Sequence, residues 1–315
     1  MKRRDAIKSA SLMTGAFLAQ STLSIAQTKK FRIALIMKAL SNTFFHAMEV
    51  GGREEGEKLG VEMLVNGIDK ETDVTQQISL VENAITKRVD AVVIAPANSN
   101  ALIPPLMKAK AAGIFVVNID NPLDEAMKKQ MNFQCPFVGS DNELGAALAA
   151  HDLVAAIGGV GNVAILEGIP GVTNAELRKK GAMRVFDSEP KIKVVASKTA
   201  EWETEEAYNV FTNILTSNPD IQGLFAANDS MALGAVRAID AAGKTGQIKI
   251  TSYDNLEATQ AVIKEGKIHS TIEQHPELMG AYGVRAAVDH LNGKPVGDII
   301  PTPLEVIDYE YLMRG

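Results

Sequence analysis

Cysteine is all but missing from the 315-residue chain: Cys135 stands alone, so no internal disulfide can form. Histidine is scarce as well. The five histidines are scattered, none is followed by another four residues on, and no cysteine cluster accompanies them, which removes zinc-type sites from consideration. No Gly-x-Ser-x-Gly nucleophile elbow occurs. No apolar run reaches the about 20 residues needed to cross a bilayer. Basic residues do not dominate either: 32 Lys and Arg stand against 38 Asp and Glu, a formal charge of −6, the wrong sign for a nucleic-acid partner. Aromatic residues make up only 5% of the chain, with a single tryptophan, so where they sit carries information.

What is present begins with an export signal. Lys2, Arg3, Arg4 and Lys8 precede a modest apolar stretch from Leu12 to Leu23 and then Ser24-Ile25-Ala26, a leader with a small-residue cleavage site over residues 1–26. Arg3-Arg4-Asp5-Ala6-Ile7-Lys8 fits a twin-arginine signal, and a general secretory leader with adjacent arginines is the alternative. Both routes lead out of the cytoplasm. Removing the leader's net +3 takes the side-chain total from −6 to −9. No cysteine follows the leader to carry a lipid, so a freely diffusing periplasmic protein is expected. Cys135 itself reads as a small buried hydrophobe.

From residue 31 onward, short β-branched runs alternate with segments of helical period, which predicts an α/β fold with parallel sheets. The expected strands are Arg32 to Met37, Val61 to Val65, Ala91 to Ala95, Phe115 to Ile119 and Pro136 to Gly139. A second series runs Asn162 to Leu166, Lys193 to Ser197, Gly223 to Ala226, Lys249 to Ser252 and His269 to Ile272. Helices are expected between them, among others Phe44 to Leu59, Thr72 to Lys87, Leu102 to Ala112, Thr204 to Thr216 and Ser230 to Ala242. The architecture occurs twice, and 315 residues suit two domains. Two lobes imply a cleft.

Several apolar runs end in a polar cluster just past the strand: Asn118-Ile119-Asp120-Asn121, Ala226-Ala227-Asn228-Asp229, Ser252-Tyr253-Asp254-Asn255 and Thr271-Ile272-Glu273-Gln274. Ligands of open parallel sheets bind outside the carboxyl ends of the strands, where loops converge and helix N-termini point. Each Asp or Asn also suits a helix N-cap, and that structural role stands beside the ligand role. Two glycine-rich segments fit no nucleotide. Gly243-Lys244-Thr245 lacks the preceding glycine of a phosphate loop and is followed by a strand. Gly158-Gly159-Val160-Gly161 precedes a strand instead of following one. The first reads as a helix end and turn, the second as a loop.

Acid, amide and guanidinium groups at strand ends, with a few rings among them, match an uncharged polyhydroxy ligand, whose hydroxyls both donate and accept and whose C–H faces lie on aromatic surfaces. Phe44-Phe45 follows the first strand, and Trp202 stands in the acidic loop Ala200-Glu201-Trp202-Glu203; a core role is the alternative for each.

Over nearly all of residues 31 to 312 the sequence resembles the ribose and allose branch of the periplasmic sugar-binding proteins, type I periplasmic binding proteins. The likeness is carried by Met37-Lys38-Ala39-Leu40-Ser41-Asn42-Thr43-Phe44-Phe45, by the Gly168 to Gly181 stretch with Arg178, by Phe225-Ala226-Ala227-Asn228-Asp229-Ser230-Met231-Ala232-Leu233-Gly234, and by Thr271-Ile272-Glu273-Gln274-His275-Pro276. The resemblance implies sugar contacts at Asn42, Phe44, Phe45, Asp120, Arg178, Trp202, Asn228, Asp254 and Gln274. Lys38 matches a lysine of allose-type members, and Asn121 stands where ribose-type members carry arginine, which removes a fork of donors. It also implies two doubly wound lobes joined by a three-segment hinge, residues 31–140 plus 275–303 and residues 141–274 plus 304–315, closing on their ligand.

The function expected is capture of a monosaccharide or related polyol by a monomer that needs no cofactor or metal and delivers its ligand to an ABC transporter permease. A sensor presenting the bound sugar to a chemoreceptor or histidine kinase is the alternative. A sugar-responsive repressor would need a basic helix-turn-helix where the leader stands, and a dehydrogenase would need a nucleotide loop.

Overall fold

The computed structural model describes residues 30–314; the export leader expected over residues 1–26 lies outside the described residues. The chain starts as β1 (Arg32–Ala39), α1 (Thr43–Lys58), β2 (Glu62–Ile68), α2 (Val74–Thr86), β3 (Ala91–Ile94), α3 (Ile103–Ala111), β4 (Phe115–Ile119), α4 (Glu125–Gln130) and β5 (Phe137–Gly139). It continues through α5 (Asn142–Ala156), β6 (Gly161–Glu167), α6 (Thr173–Ser188), β7 (Ile192–Thr199), α7 (Thr204–Ser217), β8 (Ile221–Ala226), α8 (Asp229–Ala241), β9 (Lys249–Thr251), α9 (Glu257–Lys264) and β10 (Ser270–Glu273). The last elements are α10 (Pro276–Leu291), β11 (Ile299–Pro301), β12 (Glu305–Asp308) and α11 (Tyr309–Met313).

Two six-stranded sheets result, with strand orders β11-β5-β4-β3-β1-β2 and β12-β10-β9-β8-β6-β7. Every pairing is parallel except β10 with β12. The residue pattern explains why both faces of the first sheet are covered. Ile33, Leu35 and Met37 pack into one apolar cluster while Ala34 and Ile36 enter another, and Ala91 and Val93 part from Val92 and Ile94 in the same way. Side chains alternate across a strand, so an unbroken apolar run serves only a sheet buried on both sides. The second sheet has its own core, including Val163 to Leu166, Phe211, Leu224 and Phe225.

The α/β class and the doubly wound arrangement are therefore those read from the sequence. The ten expected strands are present with ends moved by up to three residues, as where β2 runs on to Ile68. Strands β11 and β12 were not anticipated. Each has only three or four residues, and the first ends in Pro301, too short for alternation to register. Through them the chain passes between the sheets three times, after β5, after β10 and after β11. Gly243 ends α8 at φ +67°, the helix end expected of that triplet. Cys135 is half-buried against the first lobe's core, and burial pushes its thiol up to about 11, which keeps it protonated.

Helices α1 and α10 cross at glycines. A Cβ on Gly280 would stand 2.0 Å from the carbonyl oxygen of Met48, so only glycine permits this approach. That contact fixes α10, a late segment of the chain, onto the first lobe.

Candidate functional site

The first lobe supplies its groups from the carboxyl ends of β1, β2 and β4. Lys38, near the end of β1, is 1% exposed and sits 2.6 Å from Glu71 in the loop between β2 and α2. Asn42 caps α1, its side-chain oxygen accepting from Phe44 N at 3.0 Å while its amide donates to Glu71 at 3.1 Å. One asparagine thus serves the helix and the site together. Phe44 and Phe45 meet edge to face at 5.2 Å, and the Lys38 ammonium lies 5.2 Å from the Phe45 ring centre. Asp120 follows β4, and its Oδ2 is buried without a partner. Burial pushes its carboxyl up to about 6, against the pull of Lys38 and Arg178.

The second lobe answers with α6, the loop before α7, and the ends of β8 and β9. Arg178, on α6, is held at three points: its Nε donates to Asn142 at 2.8 Å, and its Nη1 donates to the Ala227 carbonyl at 2.7 Å and to Asp254 at 3.3 Å. Its guanidinium lies 3.8 Å from the Tyr253 ring centre. Burial raises the Asp254 carboxyl well above its ordinary range, opposed by Arg178. Asn228 caps α8 through Met231 N and donates to the Trp202 carbonyl at 3.3 Å. The Trp202 ring lies over Gly168, where a Cβ would come within 2.0 Å of it.

Both sets face one cavity, lined by Lys38, Asn42, Phe44, Phe45, Glu71, Asp120, Asn174, Arg178, Trp202, Asn228 and Asp254. Three carboxylates meet two cations there, Lys38 with Glu71 and Arg178 with Asp254, so the lining is close to electroneutral. Among the described residues no group of His, Cys, Asp and Glu is placed to hold a metal ion, and no helix is long and apolar enough to cross a membrane.

The model of the periplasmic binding protein domain family matches residues 33–295. The chain belongs to the periplasmic binding protein family. It is 39% identical over 300 residues to the D-ribose/D-allose-binding protein of Pseudomonas aeruginosa, covering 93% of each chain. It is 33% identical over 291 residues to the D-allose-binding periplasmic protein of Escherichia coli, covering 92% of this chain and 91% of that one. Among solved structures it resembles an ABC transporter periplasmic solute binding protein from Actinobacillus succinogenes with bound D-allose, at TM-score 0.87 and 42% identity, over 91% of this chain and all of that one. This family is a solute-binding class, not an enzyme class.

Measured against the eleven site residues read from the sequence of this periplasmic binding protein, the cavity contains Lys38, Asn42, Phe44, Phe45, Asp120, Arg178, Trp202, Asn228 and Asp254. Two stand elsewhere. Gln274 is one layer back, donating to Asp254 at 2.7 Å and accepting from Ser140 at 2.9 Å, so its amide is consumed where the chain passes between the sheets. Asn121 turns away from the cavity; its amide donates to the Pro96 carbonyl at 2.9 Å and its oxygen accepts from Asn174 N at 3.1 Å. Glu71 and Asn174 line the cavity and were missed.

The backbone around the cavity of this family member is strained. Asp120, Trp202 and Asp254 have φ of +63°, +68° and +116°, a region that side chains larger than glycine rarely occupy. Tryptophan there is an outlier. Such conformations persist only where the surroundings over-determine them, and they gather at ligand sites. Here all three residues line the cavity.

Proposed function

We propose that this protein captures an uncharged monosaccharide or related polyol, of the allose and ribose kind, and delivers it to the permease of an ABC importer. One observation carries the reading. Two buried oxygens, Asp120 Oδ2 and Asn174 Oδ1, have no hydrogen-bond partner and belong to residues lining a near-electroneutral cavity that also offers aromatic faces. An unpartnered buried oxygen is costly, and a ligand hydroxyl is the group that relieves it. Phe44, Phe45 and Trp202 would take the C–H faces of the ring, and Asn42, Asn228 and Arg178 its remaining hydroxyls. The names of the P. aeruginosa and E. coli relatives support the sugar class.

Capture on this reading is reversible binding without chemistry, by a monomer resident in the periplasm. Lobe closure and the three inter-sheet passages as hinge belong to the same proposal, because ligand can touch both sets of residues only when they face each other. Titration calorimetry against D-allose, D-ribose, other pentoses and hexoses, and sugar alcohols tests it. At least one of these is expected to bind and to be recovered unchanged, and absence of binding across the panel overturns the reading. Fractionation with N-terminal sequencing of the mature protein, expected to begin near Gln27, tests export.

A further inference from the structure

Helix α6 carries two cavity residues, Asn174 and Arg178, yet has no cap of its own. Its N-cap position is Val172, which has no side chain able to accept from the first turn. The first N–H groups of a helix have no intrahelical acceptor, so each needs a partner from elsewhere. For Thr173 N that partner is Ser99 Oγ at 2.8 Å, and for Asn174 N it is Asn121 Oδ1 at 3.1 Å. Ser99 lies between β3 and α3 and Asn121 just after β4, both in the first lobe, whereas α6 packs on the second sheet. The two caps are themselves anchored: the Asn121 amide donates to the Pro96 carbonyl at 2.9 Å and to Ser99 Oγ at 3.2 Å. Ser99 and Asn121 are 1% and 0% exposed.

We propose that Ser99 and Asn121 are positioning residues that cap α6 from across the cleft, so that closing the lobes completes a helix terminus and sets Asn174 and Arg178 in place. When the lobes part, Thr173 N and Asn174 N lose their acceptors and α6 has none in its own lobe to replace them. The closed state therefore gains a preference that does not depend on the ligand, and an asparagine outside the cavity controls affinity. That the lobes open and close and that the cavity is a sugar site rest on the reading above; the two hydrogen bonds across the cleft do not.

Amide hydrogen exchange of isotopically labelled full-length protein, free and saturated with D-allose, tests this directly. First-turn amides have no intrahelical acceptor, so measurable protection of Thr173 and Asn174 reports the closed arrangement. In Asn121→Ala and Ser99→Ala, these two amides are expected to exchange about tenfold faster in whichever state protects them in the wild type, while amides in the middle of α6 are unaffected. The D-allose dissociation constant is expected to rise about tenfold through faster dissociation, in line with loss of a helix cap. Asn121→Asp keeps an acceptor facing Asn174 N but can donate to the Pro96 carbonyl only when protonated, so its Asn174 protection and its affinity are expected to approach those of wild type at the same pH as the pH is lowered. Fully exposed Thr173 and Asn174 amides in both states of the wild type overturn the proposal. So do exchange rates that Asn121→Ala and Ser99→Ala both leave unchanged. If D-allose fails to bind, the exchange of the free protein decides alone, separating failure of the cap from failure of the sugar reading.

Discussion

Asp120 illustrates how a single residue sets stability against binding. Its carboxyl ordinarily titrates at 3.8 and is pushed by burial to about 6. The folded state then holds the proton more tightly than the unfolded chain. This residue's contribution to stability is complete below about pH 4 and is lost as the pH rises through about 6, amounting to about 3 kcal/mol by neutrality. Asp120→Asn is expected to raise the melting temperature at pH 7 by several degrees and much less at pH 4, and to weaken sugar binding at least a hundredfold. Paired thermal scans and calorimetry check both. Trp202→Ala is expected to remove binding and to cost about 3 to 5 kcal/mol of stability, because a buried ring and its cover over Gly168 are lost together. Denaturant titration gives the number. The sequence made most of these residues visible because polar groups at strand ends are conspicuous against apolar runs. Glu71 and Asn174 escaped it: β2 runs three residues past its expected end, and Asn174 lies on α6, beyond a loop with no polar cluster at the end of β6. Asn121 and Gln274 show the converse limit. Asp120 and Asn121 look much the same in sequence, and only the fold decides that the first faces the cavity while Asn121 and Gln274 are taken up by backbone and side chains behind.

At the scale of elements, alternation and cap chemistry were enough to place strands and helices whose cores are long and regular, such as β3 with its four buried aliphatic residues. They could not foresee contacts that join distant segments. Gly280 against Met48 is one: in sequence it is an unremarkable glycine in a helical stretch, and in space it seats α10 on α1. Gly280→Ala is expected to destabilise the protein by about 1 to 3 kcal/mol, since the added methyl meets backbone that cannot yield. Equilibrium unfolding in urea measures it, and sugar affinity in the folded fraction is expected to change little. The antiparallel β12 is another contact of this kind, a short edge strand whose register on β10 brings Glu305 beside Glu273.

For the whole molecule the passages between lobes matter most. His275 follows β10 in a left-handed conformation and reaches Glu277 and Glu305, each at 3.2 Å, while Glu273 lies beside it. Burial lowers its pKa, but the three carboxylates together outweigh that and raise it above the ordinary 6.5. Its stabilising contribution is thus complete below about pH 6.5 and disappears as the pH climbs through the raised value. Wild type is expected to lose more melting temperature than His275→Gln between pH 6 and pH 8, a difference that thermal scans across that interval resolve. Closure itself is expected to lower the radius of gyration on adding sugar, measured by small-angle scattering.

The way Lys38 answers Glu71 and Arg178 answers Asp254 also bears on which ligands the cavity admits. Neither cation is left over to receive a phosphoryl group, and Asp120 adds a carboxyl with no cation of its own. On the proposed reading a phosphorylated sugar is therefore expected to bind far more weakly than the free one, a difference that calorimetry with both forms measures.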